Sequence, residues 1–150
     1  MSESSSGGPA SGRARLRREA RERAIELAYE REQRGISVDE LLETLTLAPD
    51  PFAEGLLRAA ETHRAEADDL VVARLRGWTH DRLPVIDQLL LRLAVVELMT
   101  TDTPTNVVLA ETVDLAARYS TDESSRFVNG LLASVVDGPR PELSNTSGSE

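Results

Sequence analysis

Apolar residues recur along the chain with a helical period, and no segment sustains the two-residue alternation of a half-buried strand. The spacing predicts a first helix over about residues 12–34, stopped by Gly35 as a C′ glycine. Ser37-Val38-Asp39-Glu40 matches a capping box and opens a short helix through about Leu45. Asp50-Pro51 reads as an N-cap followed by proline at N1. A long helix is expected from there to about Arg76, ending at Gly77, with Leu56, Leu57, Ala60, His63, Ala67, Leu70, Val71 and Leu75 in period. Pro84 opens the most apolar stretch, Val85 to Met99, which predicts a central helix buried on several sides. Asp102-Thr103-Pro104 starts another helix, to about Tyr119. The last runs from about Ser124 to Asp137 and is closed by Gly138-Pro139.

Within that last helix, Asn129-Gly130 poses a conflict. The dipeptide is a strong hairpin signal when alternating apolar residues flank it. Here Phe127, Val128, Leu131, Leu132 and Val135 have helical spacing instead, so the pair is assigned to the helix. A glycine there costs about 1 kcal/mol relative to alanine. Two uses would justify it: close approach of a neighbouring helix, the first expectation, or close approach of an RNA backbone. Asn129 would then offer its amide to RNA or cap a neighbouring backbone group.

The pattern therefore gives an all-α fold of about seven helices, in two small helical bundles that share a core on either side of Gly77. Residues 1–12 and 138–150 are Ser/Gly-rich or turn-rich and are expected to be disordered tails around a helical domain at 13–137. No apolar run approaches the ~18 residues of a membrane span, and the first residues lack the apolar stretch of a signal peptide. There is no cysteine, which excludes a disulfide framework, thiolate metal sites and cysteine nucleophiles, and a cytoplasmic location is expected. His63 and His80 have no partners at metal spacing, so neither metal nor cofactor is expected. No phosphate-cradling glycine loop or nucleophile–base set is present, so no catalytic residue is assigned.

Charge changes the picture in one place. The chain has 26 acidic and 17 basic residues, net −9, and every basic residue is arginine. Residues 13–34 hold eight arginines and five glutamates, net +3, which leaves −12 for the rest. Any nucleic acid must therefore be met through this segment. Projected at about 100° per residue, Leu16, Ala20, Ala24, Leu27 and Ala28 form an apolar stripe. Arg17 and Arg21 lie on one margin, and Arg18 and Tyr29 a little further round the same side. Guanidinium groups bind phosphate bidentately and a tyrosine ring stacks on an unpaired base, which suits single-stranded RNA. The other reading is a solvated helix with pairs at i,i+4 spacing: Glu22 with Arg18, Glu19 with Arg23, Glu30 with Arg34. Arg92, inside the most apolar helix, needs an ionic partner, and Glu97, Glu111 and Asp114 are the candidates. Trp78, the one tryptophan, is expected to pack between the bundles.

Four stretches together resemble one family. Arg126-Phe127-Val128-Asn129-Gly130-Leu131-Leu132 resembles the C-terminal signature of the NusB family of transcription antitermination factors. Arg17-Arg18-Glu19-Ala20-Arg21-Glu22-Arg23-Ala24, with Leu27 and Tyr29, is similar to its N-terminal arginine-rich helix. Trp78, Arg82, Ile86-Asp87, Leu91-Arg92 and Glu97-Leu98 resemble its central pattern. Pro104, Val107, Glu111, Val113, Leu115-Ala116 and Tyr119 resemble the helix before the last. The chain departs at Glu19, where a third arginine is frequent, and at Val96, Ala110 and Thr112.

The resemblance implies two three-helix bundles with an extra helix and no catalysis. It implies binding to the boxA element of nascent ribosomal RNA together with NusE, a small-subunit ribosomal protein. Through other Nus factors the complex would reach RNA polymerase and suppress termination. By position, Arg17, Arg18 and Arg21 would contact RNA, Tyr29 and Phe127 would pack on bases or support that surface, and Arg126 and Asn129 would line it. Asp87 would face NusE. A homodimer is among the states the resemblance allows. The alternative is a helical module of the same fold that keeps NusE but has weak or lost RNA binding, which the acidic balance and Glu19 favour. RNA cytosine methyltransferases carry a NusB-like domain, but this chain is expected to lack their catalytic part and its cysteines.

Overall fold

The computed structural model describes residues 9–75 and 80–143. Within them the chain forms α1 (Pro9–Arg34), α2 (Val38–Glu43), α3 (Pro51–Thr62), α4 (Arg64–Val72), α5 (Val85–Thr100), α6 (Thr105–Tyr119) and α7 (Asp122–Val136). A short 3-10 turn at His80–Arg82 precedes α5, and no strand occurs among the described residues. None of the described helices is long and apolar enough to cross a membrane.

The helix boundaries follow from local chemistry. Gly35 adopts φ 65°, a conformation that costs glycine nothing, and its N–H closes α1 on the Arg31 carbonyl at 2.9 Å. The Ser37 hydroxyl accepts from the Glu40 N–H at 3.0 Å while the Ser37 N–H donates to the Glu40 carboxylate at 2.8 Å, completing the capping box of α2. Asp50 caps α3 through the Phe52 N–H at 2.7 Å, and the Thr121 hydroxyl caps α7 through the Ser124 N–H at 2.9 Å.

α5 is the axis of the fold. It packs against α1, α3 and α4 on one side and α6 and α7 on the other. Every residue from Leu89 to Leu98 is buried. Leu27, Leu41, Leu57, Leu90, Leu91, Val128 and Leu132 belong to one continuous apolar core, so the two bundles share α5 rather than merely abut.

Four expectations change. α1 begins at Pro9, so residues 9–12 are helical rather than tail. Its stripe also starts later than the pattern suggests: Leu16 is 59% exposed and the first core residue is Ala20. The long helix expected from Pro51 is two helices, broken at His63 (φ −109°, ψ 25°). The break re-aims the chain so that Ala67 and Val71 are buried and α4 packs on α5. At the other end, Arg140 is not in a free tail. It donates to the Leu98 and Thr101 carbonyls at 3.0 and 2.8 Å, satisfying acceptors at the C-terminus of α5. The expectations for residues 1–8, Trp78 and residues 144–150 lie outside the described residues.

Arg92 is a structural ion pair, as its apolar setting requires, but with a different partner. Its Nε and Nη2 both bond Asp68 of α4 at 2.9 Å, fork to fork, and Glu97, Glu111 and Asp114 are all turned to other groups. Asp68→Ala leaves the Arg92 guanidinium among apolar side chains. We expect a loss of about 3 kcal/mol in unfolding free energy, the cost of breaking a buried pair from one side. Urea denaturation measures it, and a loss under about 1 kcal/mol, the range of a surface pair, would contradict the assignment.

Candidate nucleic-acid interface

α1 straddles the two bundles, and the structure divides its arginines accordingly. Arg17 turns toward α3, where its guanidinium stacks on the Phe52 ring at 4.1 Å. Arg18 turns toward α6 and holds Glu111 through Nε and Nη2 at 3.2 and 3.4 Å. That hydrogen bond and the carboxylate charge raise the Arg18 pKa above its ordinary value.

Arg21 is not on the surface. It is 6% exposed, lies 5.2 Å from the Phe52 ring, and bonds Glu97 of α5 at 3.0 and 2.5 Å. Glu97 is itself 2% exposed. A carboxylate in the most apolar helix needs a cation, and Arg21 supplies it from the facing turn of α1. The three arginines expected on one flank therefore separate into two exposed groups on opposite sides and one buried structural pair.

The seam between α1 and α6 is charged throughout. Beyond Arg18–Glu111, Arg118 donates to Glu22, and the Tyr119 hydroxyl donates to Glu26 at 2.9 Å. Burial first, and then the bond to Glu26, raise the Tyr119 pKa. Glu22 is thus taken by Arg118 rather than Arg18, and Arg23 pairs with Glu26 rather than Glu19. The expected Glu30–Arg34 pair is present at 2.9 Å. Tyr29, 41% exposed, lies two turns beyond Glu22 along this flank of α1.

On α7, Arg126, Asn129 and Gly130 are exposed, and Phe127 is half-buried. Phe127 lines a cleft between the start of α5 and the α6–α7 connection, with Arg82, Leu83, Pro84, Asp87, Glu123 and Ser124 among its walls. Asp87 is 2% exposed, so it sits at the floor of the cleft rather than out on a face. One carboxylate oxygen accepts from the Ser124 hydroxyl at 2.8 Å, and the other, itself buried, has no hydrogen-bond partner among the described residues. A buried carboxylate oxygen without a donor is an exception to the usual pairing of buried polar groups. Sequence reasoning missed Phe52 and Ser124 because each acts through a residue far away in the chain.

Gly130 corrects the packing expectation. A Cβ built there would meet nothing within 4 Å, so no neighbouring helix needs the glycine. Asn129 is exposed and forms no hydrogen bond to a neighbouring backbone group among the described residues. No group of three or more potential metal ligands occurs among the described residues.

An all-helical molecule with an arginine-bearing first helix wrapped onto a shared central helix is the architecture of the RNA-binding antitermination factors. The NusB family model matches residues 18–137, and the chain belongs to the NusB family. It is 43% identical over 133 residues to the transcription antitermination protein NusB of Thermobifida fusca, covering 85% of this chain and 93% of that protein. Among solved structures it is similar to Thermotoga maritima NusB, with TM-score 0.73, 31% identity, and coverage of 83% of this chain and 93% of that one. A structure of the antitermination factors NusB and NusE in complex with double-stranded RNA matches with TM-score 0.67 and 29% identity, covering 80% of this chain and 95% of that one.

Two substitutions test the site. Arg21→Ala abandons Glu97 in the core and is expected to cost about 3–5 kcal/mol; an effect below 1 kcal/mol, typical of an exposed pair, would place Arg21 back on the surface. Gly130→Ala is expected to raise stability by about 1 kcal/mol through helix propensity. A loss of stability in the same urea titration would mean that something does pack there.

Proposed function

We propose that this chain is a transcription antitermination factor that binds the boxA element of nascent ribosomal RNA together with NusE, in the cytoplasm. It then acts through other Nus factors on RNA polymerase. The family match supports this reading, as does the solved complex of NusB and NusE with RNA. The single observation that carries the RNA surface is that Arg17 and Arg18, one turn before the buried Arg21, are exposed with guanidinium groups held in place.

In this reading Arg17 and Arg18 meet phosphates. Tyr29 and Phe127 offer ring faces to bases, and Arg126 and Asn129 extend the surface onto α7. Arg21 acts by fixing α1 against α5. Glu111 grips Arg18 in the same bidentate way that a phosphate does, and exposed ion pairs contribute little, so RNA displaces it. Asp87, at the floor of the cleft beside Phe127, marks the NusE-facing side, with its charge offered to a cationic or N–H group of the partner. No residue is assigned a catalytic role.

The net charge of −9 opposes RNA at long range, so binding is weak for the chain alone and tighter with NusE. The buried Arg21 and the engaged Arg18 favour one alternative, a NusE-binding module with weak RNA binding. Anisotropy titrations with boxA RNA, with and without NusE, separate the two. We expect Tyr29→Ala to weaken RNA binding about tenfold and to leave NusE binding unchanged. Log-log salt slopes should fall by about 0.7 when Arg18 is replaced by alanine. Absence of RNA binding with NusE present would leave the alternative.

A further inference from the structure

α1 reaches well past the core it serves. Residues 11–19 all retain exposure, Ala20 is the first core residue, and the family match starts only at residue 18. Residues 9–16 thus form about 12 Å of helix ahead of the stretch that resembles the family's arginine-rich helix. This segment continues into Arg18 with four arginines and no acidic residue, in a chain whose net charge is −9.

The arginines also differ in state. From Arg18 onward, every arginine of α1 holds a carboxylate: Glu111, Glu97, Glu26, Glu61 and Glu30 in turn. Arg13, Arg15 and Arg17 form no ion pair among the described residues. Arg13 and Arg17, one turn apart, line a shallow open groove with Leu16, Asp50 and Pro51. The carboxylate in it, Asp50, is turned to the Phe52 N–H. Arg17 is fixed flat on Phe52, which leaves the edge of its guanidinium, where the N–H donors lie, without a partner.

We propose that this projecting segment is a second RNA-binding arm. It grips phosphates of the strand flanking the boxA element, without reading sequence, through Arg13, one turn before Arg17, and Arg15, one turn before Arg18 on the other flank of the helix. The inference rests on the RNA-binding reading above. A protein partner fits the segment less well. Leu16 is the one large apolar side chain that residues 11–17 expose, short of the buried cluster that anchors a protein interface. Phosphates need only guanidinium donors and release counterions on binding.

The test compares the full-length chain with its Arg13→Gln/Arg15→Gln variant, both with NusE. Two RNAs are used: the boxA element alone, and the element with about ten flanking nucleotides on either side, a length within the usual single-strand site sizes. Both positions are exposed, and glutamine has nearly the helix propensity of arginine, so the fold is preserved. The variant should bind the short RNA as the parent does. On the long RNA it should lose about tenfold in affinity and about 1.4 from the salt slope, 0.7 for each phosphate contact. Equal affinity of parent and variant for the long RNA overturns this inference alone, as does an equal loss on short and long RNA. A loss of NusE affinity in place of RNA affinity assigns the arm to a protein and also overturns it. If the parent binds neither RNA, the RNA reading itself falls and this inference with it.

Discussion

Glu97 carries a carboxylate in the buried last turn of the most apolar helix, where water does not reach, and Arg21 neutralises it. Leaving either charge unpaired would cost several kcal/mol, so the pair fixes the register of α1 on α5. Two further polar side chains of α5 are answered from other helices: Arg92 by Asp68 of α4 and Asp87 by Ser124 of α7. A purely apolar α5 would be buried as well, but could slide or rotate against its neighbours at small cost. With three directional bonds to three helices, one arrangement satisfies the donors and acceptors.

The functional surface inherits its geometry from that register. With Arg21 held inside, Arg17 emerges beside α3 and Phe52, and Arg18 beside α6 and Glu111. Tyr29 emerges on the Arg18 flank two turns beyond Glu22. The acidic balance of the chain is partly absorbed by the α1–α6 seam, where Glu22, Glu26 and Glu111 are each bonded to a partner. The arginines that stay free of carboxylates in α1 are those at its projecting end. A net-acidic protein can in this way keep a local basic surface.

Much of this was legible in the sequence, and the failures have a common cause. Helix ends were readable because their signals are local: the Ser37–Glu40 box, Asp50-Pro51 and Gly35. The break at His63 was hidden because Ala60, Ala67 and Val71 keep spacings of seven and four residues, so the apolar period runs straight through it. Arg17, Arg18 and Arg21 look alike in sequence. Their fates depend on Phe52, Glu111 and Glu97, which local pattern cannot supply. Arg92 was rightly expected to need a partner, but Asp68 comes from α4, whose direction the break at His63 sets. Asp87 was placed at the NusE-facing position by resemblance; its burial and its bond to Ser124 depend on how α7 lies against α5. Gly130 shows the opposite failure, because a mid-helix glycine suggests packing and here the space around it is open.

The central claim is that Arg21 belongs to the core while its neighbours belong to RNA. The most direct test is the affinity of the Arg21→Met/Glu97→Leu variant for boxA RNA in the presence of NusE. Replacing both partners of a buried pair by apolar residues of similar size is often close to neutral for folding. The account predicts a folded protein that binds RNA within about twofold of the parent, well inside the tenfold that 1.4 kcal/mol represents. A folded variant that has lost RNA binding would contradict it, and would return Arg21 to the RNA surface.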